Sequence, residues 1–166
     1  MSDVVVRPAV AADAPRLASI SRAAIAAADV YPPAQRAAWA SRRSVAAHVR
    51  YIEVTRVLVA SVDGVVAGFA SVALSPVDAL VAGEVDQLYV DPSSGGRGVA
   101  RTLLAAVESA AREAGLASLV THASWRAVPV FERSGYRQEE VESVTLDGEV
   151  LTRARMSKPL GRAMPA

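Results

Sequence analysis

What the sequence lacks limits the chemistry that the chain can perform. Its 166 residues contain no cysteine, which excludes disulfides, thiolate metal sites and a cysteine nucleophile. No apolar run approaches the ~20 residues of a membrane span, and a net charge of +1 with scattered arginines gives no basic stripe for nucleic acid. His48 and His122 lie far apart in sequence, so we expect no metal site. Because the chain begins on a strand-like run without a signal peptide, we expect a cytoplasmic protein that contacts neither membrane nor nucleic acid.

Length and composition predict a single domain over residues 1–160, followed by a frayed tail over residues 161–166. Hydrophobic residues make up 52% of the chain and charged residues 21%, a balance that favours a folded core over a disordered chain. Apolar periodicity and turn residues predict the order β-α-α-β-β-β-α-β-α-β-β. This order is typical of an α/β (α+β) domain with a mixed, mostly antiparallel central sheet. A parallel βαβ crossover is expected from the strand at 84–90 to the strand near 119.

Local signals predict several element boundaries. Asp13 is the expected N-cap of the first helix, and a second helix is expected from about Ala34 to about Val49. Asp63-Gly64 and Asp147-Gly148 each stand between two apolar runs, which predicts two tight hairpin turns.

A glycine-rich turn between a strand and a helix is the most informative stretch of the sequence. Gly95, Gly96 and Gly98 allow backbone N–H groups to converge and a ligand to approach closely, whereas a plain tight turn would need only one glycine. The helix that follows adds unpaired first-turn N–H groups and the positive end of its dipole. Arg97 and Arg101 flank the turn and can add charge-assisted bonds, although Arg101 fits a solvated helix surface equally well. We therefore predict a phosphate or pyrophosphate site.

The spacing of this loop excludes two common nucleotide-binding motifs. A Walker A loop needs a lysine followed by serine or threonine, and the only lysine of the chain is at position 158. The dinucleotide fingerprint G-x-G-x-x-G would require a third glycine where Arg101 stands.

The loop resembles the signature of the GNAT superfamily of acetyl-CoA-dependent N-acetyltransferases, (Arg/Gln)-x-x-Gly-x-(Gly/Ala). Gly98 and Ala100 occupy its last two fixed positions, whereas Gly95 stands where the family prefers Arg or Gln. A second stretch is similar to the family's Asn-x-x-Ala, aromatic pair and Glu-Lys-x-Gly-Phe. In this chain it reads Ser124-x-x-Ala127-x-x-x-Phe131-Glu132-Arg133-x-Gly135-Tyr136. The element order extends the resemblance from about Val4 to Leu160.

The resemblance implies a GNAT-like fold and direct transfer of an acetyl group from acetyl-CoA to an amine, with no covalent enzyme intermediate and no metal. A bulge is expected to separate the two central strands, so that the backbone of Leu88, Tyr89 and Val90 can pair with the pantetheine amides. The pyrophosphate is expected in the loop formed by Gly95, Gly96, Arg97, Gly98, Val99, Ala100 and Arg101. Ser124 is expected to hydrogen-bond CoA, and Phe131 to pack against its chain.

A base must remove a proton from the acceptor ammonium, because an ammonium is not a nucleophile. The two-residue period of a strand places Glu84 and Asp86 on the face of Leu88 and Val90. We prefer Glu84, whose position is used for the base in part of the family, and place Asp86 second. Each could instead end a strand in solvent. His122 is a third candidate, or a partly buried histidine that only makes a hydrogen bond.

Protonation of the leaving thiolate has no obvious donor in this sequence. Many family members use a tyrosine where this chain has Phe131, which cannot donate a proton. Ser124 can hydrogen-bond the leaving group, and Tyr136 is expected in the core.

The acceptor site is expected between the first two helices and the final hairpin. Tyr31, Trp39 and Trp125 are candidate walls, although aromatic residues at such positions often belong to the core. The acceptor is expected to be an amine of a small molecule or a peptide, and a homodimer stays open because dimers are frequent among similar proteins. Gly95 and Phe131 give weight to an alternative, an acyl-CoA-binding or regulatory module with little activity.

Overall fold

A single seven-stranded sheet organises residues 3–161, the part of the chain that the computed structural model describes. The strands lie in the order β1-β2-β3-β4-β5-β7-β6. Their bounds are β1 Val4–Pro8, β2 Arg56–Val62, β3 Val65–Val72, β4 Glu84–Val90, β5 Ser118–Ala123, β6 Arg137–Leu146 and β7 Glu149–Pro159. Only β4 and β5 pair in parallel, and the other described pairs are antiparallel. The mixed sheet and its parallel crossover are therefore confirmed.

Five α-helices accompany this sheet within the described residues. They are α1 Ala14–Ala26, α2 Pro33–Ala40, α3 Val45–Val54, α4 Val99–Glu113 and α5 Val128–Arg133. None of the described helices is long and apolar enough to cross a membrane. Of the predicted tail, residues 162–166 lie outside the described part of the chain.

The predicted helix from Ala34 to Val49 is wrong, because two helices occupy this stretch. Ser44 starts α3 as its N-cap, and its Oγ accepts a hydrogen bond of 3.1 Å from the Ala47 N–H. Asp13 is the N-cap residue of α1, as predicted, but its side chain makes no capping hydrogen bond to that helix. Its carboxylate accepts hydrogen bonds from Arg7 and from the Val10 N–H, in the 3₁₀ turn that precedes α1.

Both predicted hairpin turns are confirmed. Asp63 and Gly64 have φ angles of 53° and 78°, and Asp147 and Gly148 have φ angles of 48° and 79°. Two successive positive φ angles are the signature of the type I′ turn, whose twist matches that of the strands it joins.

Two hydrophobic clusters cover opposite faces of the sheet. On one face, α4 buries Leu103 and Val107 against β2, β3 and β4. On the other, α1 buries Leu17 and Ile20 beside Phe69 of β3. This arrangement fixes the start of α4 against the sheet, next to the carboxyl end of β4.

Close packing at Gly68 sets the height of α4 above the sheet. A Cβ atom at this position would lie 2.8 Å from Val99 Cγ1 and 2.9 Å from the Tyr89 carbonyl oxygen. The absence of a side chain at Gly68 therefore allows the first turn of α4 to rest on β3.

A β-bulge at Asp86 interrupts the register between β3 and β4. Ser71 pairs with Gln87, but the next residue of β3 pairs with Val85, so Asp86 has no partner in β3. Val85 consequently packs in the same cluster as Leu88 and Val90, which strict alternation would not allow. The prediction that Glu84 shares the face of Leu88 and Val90 is therefore wrong, because the bulge reverses the alternation.

Candidate functional site

The two central strands separate soon after they meet. β4 and β5 pair only at Glu84 with Val120 and at Val85 with Thr121. Within residues 3–161, the rest of β4 has no neighbouring strand on the β5 side, so its backbone there can bind a ligand. The bulge and the separation expected between the central strands are both present.

The loop after β4 is held at its start by Asp91. Its Oδ1 accepts hydrogen bonds of 3.0 Å and 2.8 Å from the N–H and hydroxyl of Ser93, and its Oδ2 accepts one of 2.9 Å from Arg16. The two bonds from Ser93 are the main reason why the pKa of Asp91 lies below its ordinary value. These bonds anchor the loop to α1 and to the 3₁₀ turn at Pro92–Ser94.

The loop presents a row of free backbone donors. In the described part of the chain, the N–H groups of residues 96–101 donate to no acceptor, and the first occupied donor is the Thr102 N–H, 3.0 Å from the Gly98 oxygen. Gly98 starts α4 with a φ of 77°, a conformation that favours glycine. A Cβ at Gly96 or Gly98 would have no neighbour within 4 Å, so the space in front of the loop is open. Six free donors at the positive end of a 15-residue helix suit an anion.

The side chains of Arg97, Arg101 and Val99 in this loop differ in their contacts and in their exposure to solvent. Arg97 lies 3.7 Å from the Asp63 carboxylate in the β2–β3 turn, and about half of its side chain is exposed. Arg101 is exposed on the first turn of α4. The Val99 side chain is buried in the core, so only its backbone N–H can face a ligand.

A cavity of about 220 Å³, called here the narrow cavity, runs from this loop between β4, β5 and α5. Seven of the residues predicted to bind the cofactor line it: Leu88, Tyr89, Val90, Gly95, Ala100, Ser124 and Phe131. Phe131 is buried and meets Tyr136 edge-on, with ring centroids 4.9 Å apart. Tyr136 is a core residue, as predicted, and burial raises the pKa of its hydroxyl.

A second cavity of about 410 Å³, called here the wider cavity, lies between β4, the end of β5 and the β6–β7 hairpin. Among the predicted residues, those that line it are Tyr31, Trp39, Glu84, Asp86, Tyr89, His122 and Ser124. Asp86, His122 and Ser124 line both cavities, which therefore adjoin between the bulge of β4 and the carboxyl end of β5.

The three aromatic residues predicted as walls lie close together. The Tyr31 hydroxyl donates to the Thr152 carbonyl at 2.8 Å and accepts from the Trp125 N–H at 3.0 Å. The Trp39 indole donates to the Tyr89 hydroxyl at 3.0 Å. Tyr31 and Trp39 line the larger cavity, whereas Trp125 is absent from both linings and holds Tyr31 and Thr152 in place.

The two predicted carboxylates differ in their surroundings. Glu84 is buried, and its Oε1 accepts a hydrogen bond of 3.3 Å from the Val81 N–H. Asp86 is the bulge residue and is partly exposed, and its carboxylate accepts no hydrogen bond within residues 3–161. Asp86 is therefore the carboxylate more available to a ligand at the junction of the two cavities.

His122 is oriented by a carboxylate that the sequence did not reveal. Its Nδ1 is hydrogen-bonded to Glu142 on β6, which also accepts a bond of 2.8 Å from Arg153 Nε on β7. Burial alone would raise the pKa of Glu142, but the bonds from His122 and Arg153 outweigh it and hold the pKa below its ordinary value. Glu142 and Arg153 lie opposite each other in the register of β6 and β7. The alternation of side chains along these two strands was therefore the one sequence signal that could have placed this pair together.

The chain is similar to known proteins over most of its length. A family model described as an acetyltransferase (GNAT) domain matches residues 27–157. A GCN5-related N-acetyltransferase of Rhodopseudomonas palustris, also described as a class-II aminotransferase, is 33% identical, with a TM-score of 0.85. This similarity covers 96% of this chain and 97% of that one.

Two further solved structures share the fold at lower identity. The PaiA N-acetyltransferase of Thermoplasma acidophilum, in complex with coenzyme A, is 17% identical with a TM-score of 0.76, covering 95% of this chain and 99% of that one. YncA of Salmonella typhimurium, with acetyl-CoA, is 21% identical with a TM-score of 0.74, covering 98% of this chain and 96% of that one. No curated protein sequence matches this chain.

Proposed function

The chain belongs to the GNAT acetyltransferase family, and from this premise we propose that it transfers the acetyl group of acetyl-CoA directly to a primary amine of a small molecule or peptide. One observation carries the proposal. Six free backbone N–H groups lie at one end of a narrow cavity, whose residues Asp86, His122 and Ser124 also line a wider cavity beside it. A long anionic acetyl donor in one cavity can thus meet an acceptor in the other, beside the residues that the two cavities share.

The residues of the narrow cavity suit coenzyme A. The free N–H groups of residues 96–101 would hold the pyrophosphate, and the unpaired side of β4 at Leu88–Val90 would bind the pantetheine amides as an added strand would. Gly95, where the family prefers Arg or Gln, leaves this backbone arrangement intact. The neighbours from Thermoplasma and Salmonella, with CoA and acetyl-CoA, support this use of the fold.

Direct transfer forms a C–N bond and breaks the C–S bond of the thioester, while the proton lost by the ammonium must leave the site. We assign its removal to Asp86, because this carboxylate lies at the junction of the two cavities and has no competing hydrogen bond among the described residues. Glu84, which the sequence favoured, lines only the wider cavity and already accepts the Val81 N–H. His122, oriented by Glu142, is the second candidate.

Ser124 is placed to assist the leaving group. It lines both cavities, and its Oγ accepts a hydrogen bond of 3.3 Å from the Ala127 N–H, so its own hydrogen is free to point at the sulfur. Phe131 lines the narrow cavity but cannot donate a proton. A CoA thiol has a pKa close enough to neutral that a hydrogen bond suffices, and most of the rate would come from orientation.

Thiol release from acetyl-CoA across a panel of primary amines tests this function. We expect release above background for at least one amine, with an equal amount of N-acetyl product by mass spectrometry. The Asp86→Asn variant should lose most of the release while binding CoA as tightly as the parent chain. CoA binding without release for any amine would contradict the proposal and favour the acyl-CoA-binding module.

A further inference from the structure

The charges of the wider cavity are unevenly compensated. Arg42, Arg43 and Arg153 line it together with Glu84 and Asp86. Two of the arginines have carboxylate partners from outside the lining. Arg42 lies 3.6 Å from Asp147, and Arg153 lies 2.8 Å from Glu142.

Arg43 lacks such a partner. Within residues 3–161 it forms no ion pair, and its guanidinium carbon lies 5.5 Å from the centre of the Tyr89 ring. Its Nε is buried and has no hydrogen-bond acceptor. The hydroxyls of Tyr51 and Tyr89 are hydrogen-bonded to the guanidinium, so its charge meets neutral partners and no carboxylate. Buried donors of folded proteins are nearly always paired, so an unpaired Nε–H on a cavity-lining arginine points to an acceptor supplied by a ligand.

The Arg43 guanidinium stays charged in this position. Burial alone would lower the pKa of Arg43, but the neighbouring Tyr89, Asp86 and Tyr51 raise it overall. The cavity therefore presents a cation at Arg43 and an anion at Asp86 that are near each other but not in contact. This arrangement matches a ligand whose negative group lies at Arg43 and whose positive group lies at Asp86.

One part of the remaining wall is apolar, beside residues that carry hydroxyl groups. Leu80, Val144, Leu146 and Leu151 form this part, and Trp39 adds an aromatic surface. The volume of about 410 Å³ suits a small molecule with a modest side chain.

We propose that the acceptor is a free amino acid with an apolar side chain, whose carboxylate binds Arg43 while its amine faces Asp86. This inference rests on the proposed function and narrows its acceptor from amines in general to molecules that carry a carboxylate beside the amine. The guanidinium fork can bind a carboxylate through two parallel hydrogen bonds. A simple amine would leave the buried Nε–H unpaired, and the N-terminal residue of a peptide would offer one neutral carbonyl oxygen in place of a charged, two-oxygen acceptor.

The test compares leucine and phenylalanine with their amides and with the decarboxylated amines isoamylamine and phenethylamine. The amine of an amino-acid amide is more acidic than that of the amino acid, so amine ionisation alone would favour the amide. We expect the parent chain to favour the amino acid over its amide in kcat/KM by about 10-fold or more. In Arg43→Gln this preference should fall by about 10- to 100-fold, mainly through KM, while activity on the decarboxylated amines changes little.

Two variants and one binding measurement make the result decisive. Arg43→Lys should restore part of the preference, because it keeps the charge but not the fork. Arg50→Gln is the matched control on the neighbouring helix α3, since Arg50 is exposed, pairs with Asp78 and does not line the cavity, and it should keep the full preference. Calorimetry in the presence of CoA should detect binding of leucine but not of leucinamide, even without turnover.

The outcomes separate the inference from the proposed function. Acetylation of amines, amides and amino acids at similar rates, with no effect of Arg43→Gln on their ratio, would overturn the inference and leave the acetyltransferase proposal standing. Acetylation of peptides in preference to free amino acids would also overturn it. Absence of transfer to every acceptor, together with no binding of leucine, would overturn both.

Discussion

Substitution of Gly98 by aspartate tests the proposed pyrophosphate site, because it places one negative charge where the pyrophosphate would bind. Gly98 has a φ of 77° and starts α4, and a Cβ there would enter space with no neighbour within 4 Å. The new carboxylate would compete for the free N–H groups of residues 96–101 and repel a bound pyrophosphate. One unit charge at about 4 Å and an effective dielectric of about 20 gives roughly 4 kcal/mol, which salt reduces. We expect the Kd for CoA to rise by about 100-fold or more.

Two variants separate this charge effect from backbone strain. Gly98→Asn has nearly the same shape and tolerates positive φ, but carries no charge, so it should weaken CoA binding much less than Gly98→Asp. Gly115→Asp introduces the same residue at a φ of 77° just beyond the other end of α4, and should leave the Kd unchanged. Calorimetric titration with CoA at two salt concentrations measures all three. Equal losses for the aspartate and asparagine variants, or normal affinity in Gly98→Asp, would show that the pyrophosphate does not bind at this loop.

Three further predictions concern other parts of the structure. Asp86→Asn should lower kcat by roughly 100-fold or more with little change in CoA affinity, and Glu84→Gln should lower kcat less. A larger loss of kcat in Glu84→Gln, measured by steady-state kinetics, would instead identify Glu84 as the base. Gly68→Ala should lower the free energy of unfolding by about 1–3 kcal/mol, because its Cβ would lie 2.8 Å from Val99 Cγ1; an unchanged melting temperature would contradict the close packing. Burial, with smaller contributions from two nearby arginines, lowers the pKa of His48 from 6.5 to about 4, so the folded state binds fewer protons than the unfolded state. The chain should thus lose up to roughly 3 kcal/mol of stability as the pH falls from 6.5 to 4, and His48→Gln should flatten this slope in urea titrations.

Local sequence signals were sufficient where a few neighbouring residues determine the backbone. Asp63-Gly64 and Asp147-Gly148 form the predicted turns because each pair can adopt positive φ angles. The glycine loop was predictable for the same reason. The boundary between α2 and α3 was missed although Ser44, a favourable N-cap, stands at the start of α3.

The residues of the wider cavity depend on contacts between distant parts of the chain. Glu142 reaches His122 only because β7 lies between β5 and β6 in the sheet. Arg43 enters the cavity from the turn between α2 and α3, which the sequence pattern assigned to one continuous helix. The bulge at Asp86 reverses the alternation of β4, and no residue pattern within β4 alone predicts that change.

Amide hydrogen exchange of residues 96–101, measured with and without CoA, shows whether these backbone N–H groups bind the pyrophosphate. These N–H groups have no acceptor among the described residues, whereas the Thr102 N–H is already bonded to Gly98. We expect the amides of residues 96–101 to exchange rapidly in the free protein and to slow strongly when CoA binds, while the Thr102 amide changes little. Saturating CoA with no added protection at these amides would contradict it.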